Sequence, residues 1–197
     1  MRKILILFAH PRYEHSVVNR QLAISVSQFQ GVTFHDLYEL YPGFDIDIQR
    51  EQELLTENDI IIWHHPFYWY SCPPLLKQWI DLVLEFNWAY GPHGNVLKGK
   101  YIFNVVTTGG TREAYQTGGR NRFTLNQLLA PFDQTAWLCK MIYLPPYSVQ
   151  GTHRLDADNL KKASTGYKKL LQYLSDETFN PEELQKFELL NDFLNEK

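Results

Sequence analysis

Three short stretches of this chain carry residue types that could hold a ligand. The first runs from His10-Pro11-Arg12-Tyr13-Glu14-His15 into Ser16-Val17-Val18-Asn19. Ser16 can cap a helix there, leaving the first N–H groups of that helix and the positive end of its dipole open to an anion such as a phosphate. Ser16 and Asn19 add side-chain donors, and His10 and Arg12 add hydrogen bonds or positive charge. The second stretch, Pro66-Phe67-Tyr68-Trp69-Tyr70-Ser71-Cys72-Pro73-Pro74, crowds four aromatics into a loop that opens a helix, a wall suited to a flat aromatic ligand. The third, Thr107-Thr108-Gly109-Gly110, lets backbone come close to a ligand because glycine has no side chain in the way. Each stretch alone is ordinary, since aromatics fill cores and Gly-Gly pairs make turns. Together they describe a site for a flat ring that carries a single phosphate.

The elements that must position them follow from hydrophobic pattern. Lys3 to Ala9 is a continuous apolar run of strand length, expected where helices cover both faces of a sheet. A helix follows Ser16, with Val17, Val18, Leu22, Ile24, Val26 and Phe29 at roughly helical spacing, and Gly31 ends it. Val32 to Leu37 reads as a second strand, Tyr38 to Ile46 as irregular, and Asp47 to Leu55 as a short polar helix. Further strands are expected at Asp59 to His65 and Tyr101 to Thr107, with helices over Pro73 to Glu85 and Phe123 to Leu138. A last strand near Met141 to Val149 contains Pro145-Pro146, which requires a bulge or an edge position. Helices over Asp156 to Leu174 and Pro181 to Leu194 complete the chain, the latter amphipathic and expected to pack on the body. Alternating strands and helices give an α/β three-layer domain with a parallel sheet. If the first, third and fourth strands are central, the three ligand-type loops leave the same edge and form one site, at the place where open α/β sheets bind ligands.

Composition narrows the function classes. At 197 residues, with 44% hydrophobic and 15% aromatic content, one sizeable domain is expected, and we divide it into residues 1–175 and a helical extension 176–197. The formal charge of -3, from 22 acidic and 19 basic residues with no long block of either sign, argues against a nucleic-acid partner. No apolar stretch is long enough to span a bilayer, and the cysteines Cys72 and Cys139 form no disulfide framework, so a cytoplasmic location is expected. GxGxxG is absent after the first strand, which disfavours an ordinary dinucleotide fold. Other reactive-looking residues have plain readings. Cys72 is read as an inert buried thiol, His64 and His65 as pointing to opposite faces of a strand, and Lys77 and Asp81 as a charged helix face. His35, His93 and His153 lack ligand-type spacing.

A flat ring with one phosphate describes FMN, and the order of the motifs strengthens that reading. Ala9-His10-Pro11, Ser16-Val17-Val18-Asn19, Pro66 to Pro73 with Leu76-Lys77-Gln78-Trp79, and Thr107-Thr108-Gly109-Gly110 together resemble the flavodoxin-like NAD(P)H:quinone oxidoreductases. The nearest branch is the bacterial one that includes ancillary flavoproteins of glutathione-regulated potassium-efflux systems. The resemblance implies a flavodoxin-like five-stranded sheet in the order 2-1-3-4-5, FMN as cofactor, NAD(P)H as co-substrate and ping-pong delivery to a quinone. It also implies a homodimer, with Phe86 to Tyr90 near the flavin and the partner. On the same basis His10, Ser16, Val17, Val18 and Asn19 would hold the phosphate and ribityl chain. Pro66, Phe67, Tyr68, Trp69, Thr107, Thr108, Gly109 and Gly110 would hold the ring. Tyr115 matches a relay tyrosine of the mammalian branch, whereas Asn121 stands where that branch has a histidine. An alternative reading is a flavin-loaded regulatory subunit of a membrane potassium-efflux transporter, placed peripherally at the inner membrane, with the tail helix as its docking surface.

Overall fold

The apolar run at the amino terminus forms strand β1 (Ile4–Phe8), all five residues of which are buried. Leu5 and Leu7 enter one core, and Ile4, Ile6 and Phe8 the other, which is how a run without alternation satisfies two covered faces. The computed structural model describes residues 1–196, and the order of its elements follows the sequence pattern. After β1 come α1 (Val17–Val26), β2 (Val32–Asp36), α2 (Leu37–Leu40), α3 (Ile48–Glu57), β3 (Ile60–Pro66), α4 (Pro74–Val83) and β4 (Tyr101–Thr107). Then follow α5 (Leu125–Leu128), α6 (Ala130–Leu138), β5 (Ile142–Tyr143), β6 (Tyr147–Val149), α7 (Ala157–Ser175), α8 (Pro181–Leu184) and α9 (Leu190–Glu196). The sheet is parallel throughout in the order β2-β1-β3-β4-β5, with β6 also on β4. Side chains of α1 and α7 pack one face, and those of α3, α4 and α6 the other.

Four expectations are refined. Pro145-Pro146 splits the last strand into β5 and β6, and the pairing with β4 slips by one residue between Ile102↔Tyr143 and Val105↔Tyr147, so the strand is both bulged and at the edge. The expected helix at 123–138 is two helices, α5 and α6, with Pro131 in the first turn of the second, where its missing N–H costs no bond. The segment expected to be irregular begins with α2, because the Asp36 carboxylate accepts the Tyr38 and Glu39 N–H groups. The tail packs on the body as expected, with Leu184, Leu190 and Phe193 buried, but as two short helices rather than one.

One polar node fastens the α3 and α4 side. Glu51 is fully buried on α3 and accepts hydrogen bonds from His35 Nε2 at 2.7 Å, Tyr41 Oη at 2.5 Å and Trp79 Nε1 at 2.8 Å. Burial pushes its carboxyl up, but these donors outweigh that and leave it below the ordinary carboxylate value. A depressed folded value stabilises the fold above the unfolded value of 4.5 and ceases to do so as pH falls through the lower one. Glu51→Ala is expected to cost about 3–5 kcal/mol in urea unfolding at neutral pH, since three buried donors lose their acceptor. The difference from wild type should shrink in the same titration as the pH drops below that value.

Candidate functional site

Strands β1, β3 and β4 end at Phe8, Pro66 and Thr107 on one edge of the parallel sheet, so the three loops that follow them converge. They enclose an open cleft of about 900 Å³, within the range of cofactor sites. Its floor at one end is the start of α1. The Ser16 Oγ accepts the Asn19 N–H at 3.3 Å and its Nδ2–H at 3.0 Å, and the N–H groups of Val17 and Val18 have no intrahelical acceptor. Asn19, buried, also donates through Nδ2 to Thr107 Oγ1 at 2.9 Å, while its Oδ1 has no partner among the described residues. His10 takes the Arg12 N–H on Nδ1 at 3.1 Å, which leaves the proton of the neutral ring on Nε2 as a donor. Burial lowers the His10 pKa and favours that neutral form.

The wall is the aromatic loop. Phe67 is buried, and Tyr68, Trp69 and Pro66 line the cleft with it. Tyr68 to Ser71 is a tight turn closed by the Ser71 N–H on Tyr68 O at 2.9 Å, with Trp69 at φ 50° and Tyr70 at φ 63°. That is the left-handed region, unusual for bulky side chains, and it turns Trp69 outward to 93% exposure. Beneath the wall runs a buried polar chain that the sequence did not reveal. Tyr143 Oη donates to Asn104 Oδ1 at 2.6 Å, Asn104 Nδ2 to His65 Nε2 at 2.9 Å, and His65 Nδ1 to Pro66 O at 3.0 Å. Burial pushes His65 down to about 4, so it stays neutral. His64 faces the other way, edge-on to Phe8 and Tyr167, as strand alternation requires. Cys72 fits its inert reading, with burial pushing the thiol up to about 11.

The Gly-Gly turn lines this cleft at two of its four residues. Thr107 and Gly109 line the cleft and Gly110 an adjoining lobe, whereas Thr108 is buried, donating its N–H to Val149 O at 3.0 Å and its hydroxyl to Gly110 O at 2.8 Å. Only the Gly109 and Gly110 N–H groups of this turn lack an acceptor among the described residues. Thr152 N–H to Thr108 O at 3.1 Å and Gly151 N–H to Gly110 O at 2.8 Å continue the zipper. They carry a fourth loop, after β6, to the cleft.

This fourth loop is what the sequence reading missed. Thr152 and His153 line the cleft, and a Cβ at Gly109 would stand 2.7 Å from His153 Nε2, so the glycine makes room for that imidazole. The available signal was Gly151, at φ 70°, just beyond the end of a last parallel strand whose loop must leave at the same edge. A second lobe of about 690 Å³ shares Phe67, Trp69, Gly109 and His153 with the first and adds Gly110, Tyr115 and Asn121. Arg120 and Arg154 also line it, and neither is in an ion pair among the described residues. Tyr115 lies against Phe67 with ring centroids 6.0 Å apart, and burial raises its phenol above the ordinary value.

This geometry has close counterparts. The chain is 48% identical over 165 residues to the glutathione-regulated potassium-efflux system ancillary protein KefG of Pectobacterium atrosepticum, covering 84% of this chain and 90% of that one. It is 36% identical to the general stress protein 14 of Treponema denticola, whose crystal structure is a complex with FMN, with a TM-score of 0.84 over 88% of this chain and 99% of that one. An NADPH-quinone reductase from P. pentosaceus is also 36% identical, with a TM-score of 0.78 over 85% and 96% of the two chains. The model of the family with a flavodoxin-like fold matches residues 2–171, and this chain therefore belongs to that family.

Proposed function

We propose that this chain is an FMN-dependent NAD(P)H:quinone oxidoreductase that uses one cleft in turn for the nicotinamide and for the acceptor, a ping-pong scheme. The observation that carries it is the union, in one cleft, of a helix start with open donors, a ring wall and a second lobe holding a protonated phenol. The residues suit FMN: Val17 and Val18 N–H, Ser16 and His10 Nε2 offer donors for a phosphate, and the unpartnered Asn19 Oδ1 is an acceptor for ribityl hydroxyls. Pro66, Phe67, Tyr68, Trp69 and Gly109 line the same cleft and would hold its ring. Bound there, FMN supplies the ring system that takes up and gives back a hydride.

The chain's own groups do the rest. The Gly109 and Gly110 N–H groups provide fixed donors for negative charge that develops at the ring edge. Tyr115, kept protonated by burial, gives the proton from its Oη that a quinone needs beside a hydride to become a hydroquinone. Arg120 and Arg154 supply positive charge for the phosphates of the dinucleotide. A second reading, a flavin-loaded ancillary subunit of a potassium-efflux system, draws on the KefG relative. The tail does not offer its apolar face for such docking, because Leu184, Leu190 and Phe193 are already buried. Turnover with excess NAD(P)H and menadione tests the first reading, and co-purification with a membrane partner tests the second.

The purified protein is expected to be yellow and to release FMN on denaturation, and Asn19→Leu should weaken FMN binding at least about tenfold by fluorescence titration. A colourless wild-type protein that takes up no added FMN would refute the reading. Tyr115→Phe should slow quinone reduction about 100-fold with FMN content unchanged. A loss under about tenfold would assign Tyr115 to packing alone. In stopped-flow reduction, Arg154→Ala should raise the apparent Kd for NADPH about tenfold, as loss of a charge-assisted contact does. An unchanged value would remove Arg154 from dinucleotide binding.

A further inference from the structure

The family match ends at residue 171, and the segment beyond α8 makes contacts that reach the second lobe of the cleft. It crosses the flank of the sheet beside β5 and β6. Leu190 N–H bonds Pro146 O at 3.0 Å, and the Asn191 amide accepts the Ser148 N–H at 2.8 Å while donating to Ser148 O at 3.0 Å. Leu189 is buried in one core and Leu190 and Phe193 in the other, so neighbouring residues pin this segment to both layers. Asn126 Nδ2 adds a bond to Glu188 O at 3.0 Å. The next side chain, Asp192, is thereby fixed in place, and it takes Arg112 with two prongs, Nη1 to Oδ1 at 2.6 Å and Nη2 to Oδ2 at 2.7 Å.

Arg112 opens the 3-10 turn Arg112–Tyr115, and residues 111–122 include no buried residue. Local bonds such as Asn121 N–H to Ala114 O shape this segment, and the half-buried Tyr115 ring on Phe67 is its apolar contact with the body. A cavity of about 310 Å³, lined by Arg112 and Tyr115 on one side and Glu188 and Leu189 on the other, separates it from the tail. The contact between this segment and the tail is a point fastening, made at Arg112 and Asp192. An exposed ion pair is usually weak, but two-pronged geometry with one partner already ordered is the favourable case.

We propose that residues 185–192 act as a strap that sets the position of the Tyr115 segment over the cleft, with Asp192 as a positioning residue acting through Arg112. The effect on turnover rests on the oxidoreductase reading of Tyr115, whereas the strap itself does not. The test uses the full chain and begins without flavin. Hydrogen exchange of amides in 111–122 is expected to quicken about fivefold in Asp192→Ala while those of β1 and β3 do not change. The charge-reversed pair Arg112→Asp with Asp192→Arg should restore protection. Unchanged exchange in Asp192→Ala overturns the strap. In the FMN-loaded protein the same variant should lower kcat for menadione about fivefold at unchanged FMN affinity, recovered by the reversed pair. Faster exchange with unaltered kcat overturns the positioning role. A wild-type chain that binds no FMN refutes the oxidoreductase reading and leaves the exchange result to decide the strap.

Discussion

Thr107 is the knot that makes three generic loops into one site. Its hydroxyl receives Asn19 Nδ2 at 2.9 Å, tying the start of α1 to the end of β4, and its carbonyl receives the Phe67 N–H at 2.9 Å, tying the aromatic loop to the same residue. Both bonds lie in a low-dielectric setting, where a polar group deprived of its partner is costly. Helix start, ring wall and glycine turn therefore cannot drift independently. The cleft inherits the rigidity of the sheet although its lining is loop.

Much of this was legible because strands buried on both faces leave an unmistakable apolar run, and because parallel topology sends every carboxyl-end loop to one edge. Ile4 to Phe8, Ile60 to Pro66 and Tyr101 to Thr107 are such runs, and the three loops after them line the cleft as their residue types suggest. The fourth loop was hidden although its strand is expected, because Gly151, Thr152 and His153 form no ligand-type pattern by themselves. With it went His153, which looked isolated only because its neighbour in space, Gly109, is far away in sequence. The burial of Thr108 has a related cause: its N–H is taken by Val149 O, a partner no local pattern reveals. Glu51 passed as one more charge on a polar helix, since a buried carboxylate is recognised by its donors and not by its own type.

The aromatic loop is the place where local preference and structure disagree. Trp69 and Tyr70 occupy a conformation that small residues adopt freely and aromatic ones at a cost of about 1–3 kcal/mol each. Anchors on either side enforce it: Pro66 within β3, Phe67 in the core, and Pro73 and Pro74 at the start of α4. The outcome is a tryptophan presented at the mouth of the cleft instead of spent on packing.

The side-chain amide of Asn191 has a consequence for how copies of this chain can meet. By occupying both backbone groups of Ser148 it imitates a neighbouring strand for one residue, while the bulge at Pro145-Pro146 removes two donors from the same border. That border cannot template another strand, so β-type polymerisation through it is closed off. The border at β2, five residues long, is the one where intermolecular strand addition has room to begin.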